Sequence, residues 1–506
     1  MYKTHFFFCL WVALLSISFF ACDDKYEDYS SNPNDLLSFS NDTVRFDTVL
    51  TTINSPVHFL MVYNRNDKPL LISSVGLERG ETSGFKINVD GMAGKHFQDV
   101  AIRPRDSLFV IVDVKPEMNG EVIPTLLSDY IVFKTNGVEQ KVVLEAYGQD
   151  VFIWEGKILT SDTLIENSKP ILIRDSLFIG ENVTLSVKEG TCFYMDNNAR
   201  IVVKGNLKME GSLEKPVVFR GRRTDYMLSI SYDLIPNQWD GFYFHETSFG
   251  NKMEYVQIRN GRSGLYFDVS TPDEEKLRMK NVVITNFSEN LLRAFNCNIT
   301  AENCEFTNSR FALLELVGGK YSFTHCTMAN YMPSVPEVGW ANSNSETIIL
   351  SNIDSLFSEN STSYPLIQAD FYNTIIWGRS PSRGQITGKS DIQLFRGEEG
   401  VEFNFFFRNC IIPSRTGENG KYAIGCTFNE DPLFQKTNAT DEETGYFSPI
   451  FDFRLKNPEE TEDPSPAIDA AAPEFSISLP FDLAGKDRFL DGHPDMGAYE
   501  AYELQD

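Results

Sequence analysis

Three segments decide the fold: KNVVITN (Lys280–Asn286), ENCEFTN (Glu302–Asn308) and THCTMAN (Thr324–Asn330). Their closing asparagines lie 22 residues apart at each step. Upstream, EYVQIRN (Glu254–Asn260) fits the same template after 26 residues, with Pro272–Lys276 read as a surface insertion. Downstream, NTIIW from Asn373 and NCIIP from Asn409 repeat it at longer intervals. A period near 22 built of short strands and turns means a solenoid, because one coil cannot bury its apolar face alone and must stack on the next. Coils about 4.8 Å apart bring like positions into register. That predicts an inward column Val282–Cys304–Cys326 and a second, Ile284–Phe306–Met328. It also predicts that Asn286, Asn308 and Asn330 take left-handed backbone at a turn and bond to the coils above and below. Cys304 and Cys326 read as stacked buried thiols rather than a disulfide.

Composition agrees with an all-β chain. The 506 residues include 40 Phe, with Val, Ile and Thr recurring in short runs that favour strands. Hydrophobic residues make up 42%, too much apolar surface for a disordered chain. Acidic side chains number 71 against 45 basic ones, a net charge of -26, and the basic ones nowhere cluster. A surface that wraps nucleic acid needs such clusters, so nucleic acid is excluded as a partner. No CxxC occurs among the 8 cysteines, which removes the zinc-ribbon and thioredoxin readings. No cofactor and no metal are expected.

The amino terminus reads as an export signal. Lys3 precedes FFFCLWVALLSISFF (Phe6–Phe20), an uncharged run too short for a bilayer span of about 20 residues. It ends at Ala21-Cys22, followed by Asp23 and Asp24. This resembles the lipobox of bacterial lipoproteins, although Phe19 and Phe20 stand where that pattern has Leu and a small residue. The resemblance implies a signal peptide over 1–21, a lipid on Cys22 and an acidic tether over 22–35. A body this acidic is repelled by anionic membrane surfaces, so attachment to the membrane must come from the lipid. The expected location is the outer membrane, facing the cell exterior.

Residues 36–150 carry six β-rich runs: Val57–Tyr63, Leu70–Val75, Phe85–Val89, Leu108–Val114, Tyr130–Thr135 and Val138–Ala146. Asn136-Gly137 between the last two favours a tight hairpin turn. Six or seven strands in this length suggest a sandwich, similar to the Ig-like modules of bacterial surface lipoproteins.

The text that opens the solenoid is LSVKEGTCFYM (185–195), ARIVVKGNLKMEGSLEKPVVFRG (199–221), QWDGFYF (238–244) and EYVQIRNGRSGLYF (254–267). Gly190, Gly205, Gly211 and Gly221 fall where the chain turns. These segments resemble right-handed parallel β-helix proteins of the pectin-lyase-like superfamily. The carboxyl end matches too, through DPLF (431–434), SPAID (465–469), DLAGKDR (482–488) and DMGAYE (495–500), with Ala470–Ala472 where that family has Gly. The expected organisation is an Ig-like sandwich over 36–150, a right-handed parallel β-helix over 151–430, and an end and cap over 431–506. Arg488 with Asp495 or Glu500 reads as a structural charge pair of that cap.

Two functions compete. The first is a non-catalytic scaffold that binds glycan or a cell-surface protein. The second, which the resemblance implies, is a polysaccharide lyase or glycoside hydrolase. Hydrolysis wants two carboxylates at a set separation; calcium-assisted elimination wants clustered oxygen ligands. The paired Asp motifs and Gly-His-Gly turn of the superfamily's hydrolases are absent from this sequence. The remaining catalytic candidates are Asp240, His245 and Glu246, with Arg259 and Arg262 one coil on. Trp239, Trp340 and Trp377 are candidates for stacking on sugar rings or for core packing.

Overall fold

The computed structural model describes residues 28–166, 169–227, 230–332, 346–354, 362–378, 392–397, 399–414, 417–439, 450–456 and 464–501. Cys22, the run before it and Trp340 lie outside these. The chain forms two compact units that meet between Gln149 and Asp150.

The first unit holds two five-stranded sheets around one core. One sheet contains His58–Tyr63, Ser107–Val114 and Phe85–Val89 as antiparallel neighbours. In the other, Val138–Gln149 pairs antiparallel with Thr125–Thr135 and parallel with Thr43–Leu50. Alternation explains the faces: Val110, Val112 and Val114 point inward and are fully buried, whereas Phe109 between strand neighbours is exposed. Asn136 and Gly137 have φ of 52° and 77°, the left-handed pair that a two-residue hairpin requires. Four strands, Ser38–Phe39, Thr43–Leu50, Met92–Gly94 and His96–Ile102, were not among the six runs marked in the sequence.

The second unit is a parallel β-helix whose described strands form one continuous 26-stranded sheet. Each coil contributes three short strands. One coil, for example, runs through Asn298–Glu302, Glu305–Ser309 and Leu314–Val317. Every registered pair along the coils is parallel, and both predicted columns point inward. Ile284, Phe306, Met328 and Ile376 stand in register, as do the positions of Val282, Cys304 and Cys326, and all seven are fully buried. The abundance of Phe has a packing cause. Rings stack from coil to coil, Phe193 on Phe219 at 4.3 Å, Phe244 on Phe267 at 4.5 Å, and Phe323, Phe371 and Phe407 in series at 5.1 and 4.9 Å. Cys304, Cys326, Cys410 and Cys426 are free thiols. Gly190 needs its φ of 72°, whereas at Gly205 the constraint is space: a Cβ would lie 2.2 Å from the Val183 carbonyl oxygen.

The asparagine turn sits elsewhere than predicted. Asn286 and Asn308 are left-handed, with φ of 67° and 56°, but Asn330 is not. The regular column lies five residues earlier, where Tyr255, Asn281, Asn303, His325, Asn373, Asn409 and Gly425 occupy equivalent positions with φ between 48° and 64°. The segment Pro272–Lys276 is also only partly a surface insertion. Lys276 is fully buried, and its ammonium donates to the carbonyl oxygens of His245 and Glu246 at 2.6 and 3.1 Å.

Residues 465–501 do more than cover a last coil. They run as a strap along the left-handed column, tying coil to coil. Asn409 donates to the Ala470 carbonyl at 2.9 Å. Asn373 donates to the Ala472 carbonyl at 3.0 Å and accepts from its amide at 2.7 Å. His325 Nε2 meets Ser476 Oγ at 2.8 Å, and Asn303 donates to the Phe481 carbonyl at 2.7 Å. Arg488 then inserts, fully buried, between Glu500 at 2.5 Å and Asn303 Oδ1 at 3.1 Å. The Ala470–Ala472 segment needs no glycine because Asp469 supplies the left-handed turn, with φ of 55°.

Candidate functional site

The three catalytic candidates are not brought together. Asp240 precedes the strand Gly241–Phe244, and His245 and Glu246 follow it. Four strand residues at about 3.3 Å each put the two ends about 13 Å apart. Asp240 is buried and ion-paired with Arg262. His245 is half-buried, its Nδ1 3.0 Å from Thr247 Oγ1 in a local turn. Glu246 is exposed and takes part through its backbone carbonyl, which helps hold Lys276. Arg259 turns away from Arg262 and pairs with Asp233 at 2.9 Å. Trp239 is core, its ring edge-on to Phe242 and Phe287 and its indole N–H donating to the Arg259 carbonyl at 2.9 Å. Trp377 is buried as well.

A cleft of about 510 Å³ opens instead on the face formed by Gly241–Phe244, Leu265–Phe267, Leu292–Phe295, Leu314–Val317 and Ile348–Ser351. Each strand buries its flanking residues and turns one middle side chain toward the cleft, where Glu315 and Ile349 are themselves largely covered. Phe242 and Phe244 face the core, so Tyr243 faces out; Leu265 and Phe267 do the same for Tyr266. The outward positions stack into one ladder: Tyr243, Tyr266, Arg293, Glu315, Ile349. The two tyrosine rings lie 5.7 Å apart. Arg293 pairs with Glu315 at 3.0 Å and stacks over Phe295 at 4.9 Å. Asn290 donates to the same Glu315 oxygen at 2.5 Å. Burial pushes the Glu315 carboxyl above its ordinary range, opposed by the Arg293 charge. At the rim, Glu289 accepts from Ser263, and Phe311 is 48% exposed. Aromatic faces beside planar charged and amide groups make a surface that can stack on a ring and bond to hydroxyls at its edge.

A second cleft of about 440 Å³ lies where the end of the strap meets another face of the helix. Its charges are held by one another. Asp233 pairs with Arg259 and with Arg220 at 3.1 Å, and Asp452 pairs with Arg454 at 2.5 Å. Glu305 accepts from Tyr499 Oη at 2.5 Å and from Thr307 Oγ1 at 3.0 Å. The Tyr499–Glu305 bond fastens the strap to a coil. Among the described residues, no group of three or more acidic, His or Cys side chains is arranged to hold a metal ion.

Sequence reasoning missed the tyrosine ladder although its signal was present. GFYF (241–244) and GLYF (264–267) are the same strand one coil apart, each with Tyr between two inward apolar residues. Reading those tyrosines by strand alternation places both outside.

No protein-family model and no curated protein matches the chain. Solved structures match small parts of it. A protein of unknown function from Porphyromonas gingivalis is 13% identical over 25% of this chain and 60% of its own, with a TM-score of 0.17. A family 123 glycoside hydrolase from Clostridium perfringens is 9% identical over 23% of this chain and 30% of its own, with a TM-score of 0.16. The PapD-like domain 7 of human CEP192 is 10% identical over 26% of this chain and 95% of its own, with a TM-score of 0.17. None of these likenesses bears on function.

Proposed function

We propose that this is an exported, lipid-anchored protein whose β-helix, of the pectin-lyase-like type, binds saccharide without cleaving it. The observation that carries the reading is the in-register pair Tyr243 and Tyr266, outward on an open face with Arg293 and Glu315 as the next rungs. The apolar run ending at Ala21-Cys22 supports a lipid anchor at the outer membrane, and the strongly acidic body supports orientation away from an anionic bilayer. One observation favours a second reading, a glycoside hydrolase at the same cleft: burial raises Glu315, as a general acid needs. A glycan array run beside reducing-end and unsaturated-product assays separates the two. Binding lost in Tyr266→Ala, with no turnover, supports the scaffold. Saturable turnover that collapses in Glu315→Gln establishes the hydrolase, and absence of both binding and turnover refutes both readings.

A further inference from the structure

We infer that the ligand of the tyrosine cleft is a neutral oligosaccharide of about four sugar units laid along the solenoid axis; the inference rests on the saccharide reading of that cleft. Direction comes from the ladder. Tyr243, Tyr266, Arg293, Glu315 and Ile349 are contributed by five successive coils, so a ligand touching all of them runs across the strands. Length follows from the coil spacing: the four rungs that can stack or hydrogen-bond, Tyr243, Tyr266, Arg293 and Glu315, stand about 4.8 Å apart, and the apolar Ile349 closes the row. A pyranose unit advances an extended chain by about one such interval. Successive rings therefore meet successive rungs, stacking on the two tyrosines first and hydrogen-bonding at Arg293 and Glu315 next.

Neutrality comes from charge. Arg293 is paired with Glu315 at 3.0 Å. Arg262, beside the cleft, is paired with Asp240 and stands 3.9 Å from Glu289. Each guanidinium charge is already countered by a carboxylate, and Glu289 and Glu315 both line the walls. The net charge of -26 adds a long-range repulsion against any polyanion. A uronate or sulfated chain would have to enter against both effects. Neutral sugars offer hydroxyls to the same carboxylates and ring faces to the same tyrosines at no electrostatic cost.

The test is calorimetric titration of the full chain in detergent. The probes are a panel of neutral oligosaccharides (glucose, mannose, xylose and N-acetylglucosamine series, two to six units) and galacturonate oligomers of the same lengths, with and without calcium. Affinity for a neutral series should rise with length and level off at four units. Galacturonate should bind at least about tenfold more weakly at every length. Tyr266→Ala should weaken neutral binding about tenfold or more, and Tyr266→Phe should largely retain it. Because Tyr266 faces outward, an unchanged melting profile will certify the fold of both variants. Tighter binding of galacturonate, lost in Tyr266→Ala, would overturn neutrality while leaving the saccharide cleft standing. Affinity still climbing beyond four units would overturn the length. Failure of every probe would overturn the inference and the saccharide reading together.

Discussion

Replacing Asn373 with Gly isolates what the strap contributes. Asn373 is fully buried with φ of 49°, and its amide grips both backbone groups of Ala472. Glycine keeps the left-handed backbone without strain but leaves the Ala472 N–H without its partner, whereas the Ala472 C=O still accepts from the Phe475 N–H at 3.2 Å. One orphaned buried group costs about 1–3 kcal/mol, so Asn373→Gly should lose about that much locally. Asn373→Ala adds about 1–2 kcal/mol for a Cβ in left-handed backbone and should be the worse of the two. A solenoid unfolds in parts, so the readout must be local. Hydrogen exchange of residues 465–481 in wild type and both variants measures it. Exchange there should accelerate by about one to two orders of magnitude in Asn373→Gly, with the sandwich unit unaffected. If the strap amides stay as protected in Asn373→Gly as in wild type, the column does not anchor the strap and the argument fails.

Three more outcomes follow from the geometry. Phe306→Ala should destabilise the β-helix by about 3–5 kcal/mol, and Phe306→Asp by more, measured by denaturant unfolding; a melt within a degree of wild type would mean that Phe306 does not face the core. Burial raises Asp495 to about 6 from 3.8, so its protonated form favours the folded strap. That contribution is complete below about pH 4 and fades as pH rises through 6, worth about 3 kcal/mol in all; strap protection factors, corrected for the intrinsic pH dependence of exchange, should therefore rise on going from pH 7 to 5, and Asp495→Asn should flatten that slope. Cys22→Ser should abolish incorporation of a palmitate analogue that labels the wild type, and equal labelling of both would sink the lipid anchor.

The solenoid was legible because its signal is local and repeated. The same alternation that hides Ile284, Phe306 and Met328 recurs each coil, and a 22-residue period needs no knowledge of distant contacts. The strap was not legible for the opposite reason. Asn281 and Asn303 stand second in the repeat that was read, yet what marks Asn303 as a node is a carbonyl at Phe481 and a guanidinium at Arg488. His325 in the same column looks unlike its neighbours in sequence and does the same work through Ser476. The catalytic candidates were misleading because nearness in sequence is not nearness on a strand: Asp240 and His245 are five residues apart and sit at opposite ends of one. Tyr243 was passed over inside QWDGFYF, a segment read only for its resemblance to β-helix proteins and for Asp240.

A solenoid made only of stacked coils can be completed in the order it is synthesised, each turn settling on the one before. The strap breaks that rule. Arg488 closes on Asn303 across 185 residues, and Tyr499 on Glu305 across 194. The middle coils therefore leave the ribosome with their polar column still open to water, and are sealed only when residues 465–501 arrive. A chain cut before residue 465 would be damaged far upstream of the cut, at Asn303, His325 and Asn373. Arrival of the strap is thus registered at the centre of the solenoid, where a bare column marks a coil not yet sealed.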